Sequence, residues 1–239
     1  MRIASLNLCS DELVLMLADP VRIASVTHLS RDPAESALWQ AARRTRANDG
    51  SLLSVAPLRP DLIVTMGGSG RDRAGIAQAI GARLVDLPFP ATLEDVVRSI
   101  RIVGNAVGRS DRGRALAARI VALSRTVPGR RHDAIYLSGG GRSLSSDGLG
   151  AQWLALAGYR QRPLPGGRID LETLLRRPPA VLLTSDYRAG QASREAQWLK
   201  QPALARMPRL RRIRTEGRRW TCLGPSLIPE IARLRSLGQ

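Results

Sequence analysis

Thr92-Leu93-Glu94-Asp95-Val96-Val97-Arg98-Ser99-Ile100-Arg101-Ile102-Val103-Gly104-Asn105-Ala106-Val107 opens the stretch on which the fold turns. From residue 92 to residue 127 there is no proline and no strand-like run. Val96, Ile100, Val103 and Val107 recur at helical spacing, and Leu116, Ile120 and Leu123 do so again. Thr92 reads as the N-cap, with Asp95 three residues on, where a capping box has Glu or Gln. Gly108-Arg109-Ser110-Asp111 either caps or kinks the helix between its halves, and Pro128-Gly129 ends it. The expectation is one long helix over 92–127. Such a helix joins two globular parts stiffly, where a Gly/Ser linker would join them loosely.

Both flanks alternate strand and helix. Upstream, strands are predicted at 3–6, 23–26, 61–65 and 83–87, with helices at 11–18 and 73–80. Ser10 reads as the N-cap of the first helix, and Gly81 as the C-cap of the second. Asp61-Leu62-Ile63-Val64-Thr65 is an apolar run of the kind buried on both faces of a parallel sheet. Downstream, strands are predicted at 134–137 and 181–184, with a short one centred on Ile213. Helices are predicted at 150–157 and 227–237. Pro60-Asp61-Leu62-Ile63-Val64-Thr65 is echoed by Pro179-Ala180-Val181-Leu182-Leu183-Thr184, which supports two related lobes. The predicted fold class is α/β: two Rossmann-like lobes with central parallel sheets, bridged by one long α-helix. The N-terminal lobe covers 1–91, the connecting helix 92–127 and the C-terminal lobe 128–239.

Composition narrows the function. The 239 residues include 37 lysines and arginines against 20 acids, a formal net charge of +17. That raises nucleic acid as a partner. Lys200 is the only lysine, however, so the excess is arginine throughout. The densest stretch, from Arg206 to Arg219, has Trp220 as its one aromatic neighbour for base stacking. A solvated basic face is therefore preferred to a nucleic-acid site. No apolar run is long enough to span a bilayer. Arg2-Ile3-Ala4-Ser5-Leu6 reads as a strand directly behind Met1, with no charged and apolar leader ahead of it. Either a leader was removed or never included, or the protein stays in the cytoplasm.

In an open parallel sheet, ligands bind beyond the carboxyl ends of the strands. In the first lobe those loops carry Asn7, Leu8 and Cys9, then His28 and Arg31, then Gly67, Gly68 and Arg71. In the second they carry Gly140 and Arg142, then Tyr187, then Arg219 and Trp220. Arginine offers planar, bidentate donors for carboxylate, phosphate or catecholate oxygens. Tyr187 and Trp220 are two of only eight aromatics; they either wall a flat ligand or pack beneath their loops. Gly67-Gly68-Ser69-Gly70 lacks the Lys-Ser/Thr ending of a phosphate-cradling loop. Gly139-Gly140-Gly141-Arg142-Ser143 has no nucleophile-elbow spacing. His28 is either a base, a metal ligand or simply polar. No His, Cys and carboxylate cluster has metal-ligand spacing, so neither a metal nor a cofactor is expected, and no catalytic residue is assigned. Cys9 and Cys222 are expected to be unlinked, a disulfide across the lobes being the alternative. The reading is a protein that holds a solute in the cleft between its lobes without transforming it.

Several segments in order resemble a known family. Residues 2–13 (Arg2-Ile3-Ala4-Ser5-Leu6-Asn7-Leu8-Cys9-Ser10-Asp11-Glu12-Leu13) are similar to the opening of binding proteins for bacterial ABC importers of vitamin B12, ferric siderophores and haem. Leu58-Arg59-Pro60-Asp61-Leu62-Ile63-Val64 after the Asn48-Asp49-Gly50 turn resembles the same family. So do Ile102-Val103-Gly104-Asn105-Ala106-Val107-Gly108, with Arg112 and Ala115, and Trp220-Thr221-Cys222-Leu223-Gly224-Pro225. The match spans nearly the whole chain and is thinner over 158–210. The resemblance implies the helical-backbone type of periplasmic binding protein, with small lobe movements. It implies a periplasmic or lipid-anchored location and an iron-siderophore, haem or corrinoid ligand. It also implies docking on an ABC permease with its ATPase, for which Asp72 and Glu195 are the candidates. The membrane is then met only through the permease or an anchor. The alternative from the residues is a cytoplasmic α/β enzyme acting on an anionic substrate or chelate through His28 and the loop arginines.

Overall fold

The structure, a computed structural model, describes residues 1–68, 70–138, 141–185, 202, 207 and 210–238, with backbone alone at 70–73. The chain forms two units: Met1–Ala122 with Gly224–Ser226, and Leu123–Leu223 with Leu227–Gln239. The fold class is the α/β one, each unit built on its own parallel sheet.

In the first unit, the strands are β1 (Ile3–Ser5), β2 (Ile23–Thr27), β3 (Arg46–Asn48), β4 (Leu62–Met66) and β5 (Arg83–Leu87). They lie in the order β3-β2-β1-β4-β5, and every pairing is parallel. All five residues of β4 are buried, as a strand covered on both faces must be. One face packs Ala4, Leu6 and Ile63 against Leu52, Val55, Ala77 and Ala82. Helix α1 (Leu8–Leu17) crosses the sheet. It starts earlier than predicted because Asn7, not Ser10, is its N-cap. The Asn7 side chain accepts from Ser10 N at 2.8 Å, and Ser10 Oγ accepts from Asn7 N at 3.3 Å. The short α2 (Trp39–Ala42) and α3 (Leu52–Val55) flank β3, and α4 (Gly70–Ala79) links β4 to β5. β3 is Arg-Ala-Asn, with too little apolar periodicity to be legible as a strand.

The predicted single helix over 92–127 is two, α5 (Leu93–Ala106) and α6 (Ser110–Arg125). Thr92 and Asp95 form the expected reciprocal cap. Gly108, at φ +73°, closes α5, with Arg109 N donating to Gly104 O at 2.7 Å. Gly104 and Gly113 then let the two helices touch by bare backbone: a Cβ on Gly104 would lie 3.0 Å from Gly113 Cα. Past the turn, Arg109 forms a two-pronged ion pair with Asp19 (Nη2–Oδ1 2.5 Å, Nε–Oδ2 3.1 Å). This guanidinium holds the Asp19 carboxyl below its ordinary range. Arg112 donates to Leu17 O and Ala18 O, each at 3.3 Å, supplying the last carbonyls of α1. The last turn of α6 belongs to the second unit.

That unit holds β6 (His132–Leu137), β7 (Tyr159–Gln161), β8 (Val181–Ser185) and β9 (Arg211–Thr215), parallel and in the order β7-β6-β8-β9. Its helices include, among the described residues, α7 (Leu149–Leu156), α8 (Leu171–Arg176) and α9 (Ile228–Gly238). Trp153 is fully buried, and its Nε1 donates to Leu223 O at 2.8 Å. The echoed segments become β4 and β8, each paired with the first strand of its own sheet. The arginine-rich stretch includes β9, an edge strand on which Ile213 and Thr215 point inward while Arg211, Arg212 and Arg214 are exposed. Charge on an edge strand blocks unwanted strand pairing, which gives these arginines a structural reason. Arg206 and Arg209 lie outside the described residues. Among the described residues, no helix is long and apolar enough to cross a membrane.

A three-residue segment completes the first unit from far along the chain. Ser226 N and Oγ donate to Glu12 Oε1 and Oε2, each at 2.9 Å.

Candidate ligand-binding edges

In the first sheet, β1 lies between β2 and β4, so the strand order reverses there. Helical connections leave to opposite faces at such a point, and a crevice opens beyond the carboxyl ends of the two strands. The second sheet reverses in the same way between β6 and β8.

At the first reversal, Asn7 clasps β1 to β4. Its Nδ2 donates to Met66 O at 2.5 Å, while its Oδ1 caps α1. Asn48 does the same for β3, donating to Ser5 O and Ser25 Oγ at 2.9 Å each. Both amides are therefore committed to holding the strand ends level. Beneath them lies Asp11, fully buried. Its Oδ2 accepts from Thr27 N at 3.0 Å, from Thr27 Oγ1 at 2.5 Å and from Ser30 Oγ at 2.5 Å. Its Oδ1 has no hydrogen-bond partner. Burial pushes this carboxyl above its ordinary 3.8, and the Ser30 and Thr27 donors oppose the rise.

The residue that Asp11 anchors is the turn His28–Arg31. His28 and Arg31 are exposed there. His28 Nδ1 lies 3.3 Å from Asn48 O. A carbonyl partner makes Nδ1 the donor, so in the neutral ring the lone pair is on Nε2. Gly67 and Gly68, both exposed and at φ +111° and +75°, form the loop after β4. These conformations suit glycine, and at these two positions the chain presents backbone alone. Leu8 and Cys9 sit half-buried in the first turn of α1. Neither cysteine is a free thiol, each being disulfide-bonded, which corrects the expectation of unlinked thiols. Disulfide formation depends on the spatial approach of two Cβ atoms, which the spacing of cysteines along a chain does not reveal.

At the second edge, Gln161 plays the clasping part. It accepts from Tyr136 N at 3.0 Å and donates to Ser143 Oγ at 2.9 Å. Arg142 is exposed on a loop that bridges to Arg168. Arg219 is half-buried and paired, with Arg218, to Glu216. Burial alone would raise that carboxyl; the two guanidiniums more than reverse it. Trp220 is 6% exposed, packed beneath its loop with its ring centroid 4.8 Å from that of Tyr136. Its Nε1 has no hydrogen-bond partner. Gly140, Tyr187 and Glu195 lie outside the described residues. Arg71 and Asp72 fall in the first turn of α4, where only the backbone is described.

One residue at the first edge escaped the sequence reading. Phe89, beyond β5, is 65% exposed, and its ring lies against Gly67. The available signal was its singularity: it is the only phenylalanine in the chain, and it stands between Pro88 and Pro90. At both edges polar side chains are committed to the strand ends, and His28, Arg31, Gly67, Gly68 and Arg142 are exposed beyond them. Among the described residues no group of three His, Cys, Asp or Glu side chains could hold a metal ion.

Comparison with known proteins agrees with this fold. No curated protein matches the sequence. The fold is that of a periplasmic haem-binding protein from Pseudomonas aeruginosa, with a TM-score of 0.70 at 20% identity over 99% of this chain and 91% of that one. It is also that of the haem-binding HutB of Vibrio cholerae, with a TM-score of 0.73 at 18% identity over 99% and 98%. The vitamin B12-binding BtuF of Vibrio cholerae aligns with a TM-score of 0.66 at 17% identity over 98% and 95%. Residues 3–124, half of the sequence, match the family described as periplasmic binding protein, and the chain is a member of that family.

Proposed function

We propose that this protein is the solute-binding component of an ABC importer and carries a metal chelate or corrinoid: haem, a B12-type corrinoid or a ferric siderophore. The observation that carries the reading is the first sheet's reversal point. Its polar groups are consumed in holding strand ends, and its exposed loops offer contact surface and cationic donors. The candidate contacts to the solute are the loops of His28, Arg31, Gly67 and Gly68 in the first unit; in the second unit, taken by itself, they are those of Arg142 and Arg219. Asp72 and Glu195 serve as the contacts to the permease, which works with its ATPase. The disulfide-bonded cysteines fit an oxidising compartment, and so an exported protein working in the periplasm.

The test is a titration of the purified protein with haemin, dicyanocobinamide and a ferric hydroxamate, followed by tryptophan fluorescence and ligand absorbance. One class binds saturably, with a Kd of about 1 μM or tighter. Failure of all three to bind at about 1 mM overturns the reading.

A further inference from the structure

We infer that Phe89 is a specificity-determining platform that selects flat, conjugated macrocycles over compact oxygen-ligated ferric chelates. The inference rests on the solute-binding role proposed above and names the ligand class for it.

A lone exposed apolar side chain carries no message by itself. The mounting of Phe89 does. Pro88 and Pro90 restrict the backbone on both sides of it, so little conformational freedom remains to be lost when a ligand arrives. Beneath the ring, Gly67 has no side chain, and a Cβ there would come within 2.6 Å of the Phe89 Cε2 atom. Only glycine at this place lets the phenyl ring lie directly on the backbone of the β4 loop. The ring thus stands at the reversal point although its own strand is the outermost of the sheet.

Across the same edge, His28 leaves from β2. From β2 to β5 the sheet crosses three inter-strand spacings, about 14 Å. Between them lie Asn7, whose amide is committed, and the bare glycines of the β4 loop. This edge of the sheet therefore carries an aromatic ring beyond β5 and an imidazole beyond β2. A flat π-system can lie against a phenyl face with offset stacking. A compact hydroxamate or catecholate complex presents oxygen-rich, three-dimensional surface and gains little there.

The experiment compares the wild type with Phe89→Leu, Phe89→Ala and Phe89→Tyr, using haemin, dicyanocobinamide and a ferric hydroxamate as probes. Because the ring is largely exposed, all variants keep the wild-type circular dichroism and melting temperature. The wild type binds a tetrapyrrole at least about tenfold more tightly than the hydroxamate. Leucine and alanine weaken tetrapyrrole binding about tenfold, and tyrosine restores it. Leucine binding the tetrapyrrole within about twofold of wild type would show that aromatic stacking is not used and would overturn the inference. A wild type that takes only the hydroxamate also overturns it, while leaving the importer role intact. A wild type that takes none of the probes overturns both.

Discussion

Asp11→Ala unfolds at a lower denaturant concentration than the wild type, with about 3 kcal/mol of stability lost. Three donors depend on this one carboxylate: Thr27 N, Thr27 Oγ1 and Ser30 Oγ. The two hydroxyls can rotate toward other acceptors, but the buried amide of Thr27 cannot. A buried donor left unsatisfied costs about 1–3 kcal/mol, more where the lost partner was charged. Against this, alanine removes a carboxylate held in a buried site with one unpartnered oxygen, which offsets part of the loss. The pH dependence separates the two effects. Burial raises the folded-state pKa of Asp11 above 3.8, so between these values the folded state holds the proton more firmly than the unfolded state. Its contribution to stability is fully present at low pH and falls as pH rises through the raised value. The gap between wild type and Asp11→Ala therefore widens as pH is lowered toward 3.8. Asp19, Asp95 and Asp170, all with lowered pKa, act in the opposite sense but cancel in the difference. The same variant loosens the turn bearing His28 and Arg31, so under the proposed function it weakens solute binding alongside stability.

Gly104→Leu is the second large effect, a loss of about 2–3 kcal/mol read as a lower melting temperature. The atoms that a side chain would meet are Gly113 Cα at 3.0 Å and Arg109 O at 3.2 Å, both backbone. Backbone in a helix has no rotamer to change, so relief requires α5 and α6 to separate. That separation carries away the Arg109–Asp19 pair and the Arg112 bonds to the end of α1. Replacing a mid-helix glycine gives back about 1 kcal/mol in helix propensity, too little to compensate. Gly108→Ala is the control. Nothing lies within 4 Å of its Cβ position, and only the strain of φ +73° is added, about 1 kcal/mol.

Periodicity made the core strands legible. β1, β2, β4, β5, β6 and β8 each carry neighbouring apolar residues, and β9 is legible through Ile213. β3 and β7 were missed because each is three residues long and carries polar or charged side chains. The break in the 92–127 helix is half-visible in the sequence, where Gly108 reads as a cap or a kink. The close approach of Gly104 and Gly113, which makes it a true turn, is a tertiary fact. Asn7 as cap illustrates the same limit. Serine and asparagine are comparable caps, and only the bond to Met66 O across the strands selects between them. The candidate edges were located by the rule that ligands meet strand carboxyl ends, but side-chain exposure was not readable. Trp220, a candidate for its aromatic face, is packed against Tyr136, while Phe89, unremarked in the sequence, stands in the open.

The segment Gly224–Ser226, counted with the first unit, has a bearing on how this molecule can be taken apart. The chain passes between units after residues 122, 223 and 226. A gene cut after residue 122 encodes a first unit without Ser226, leaving the Glu12 carboxylate stripped of the two donors that it holds at 2.9 Å. Faithful chimeras with relatives, exchanging one unit to transplant its specificity, therefore need three junctions. Recombination at a single crossover in the α6 region would pair Glu12 with a foreign loop.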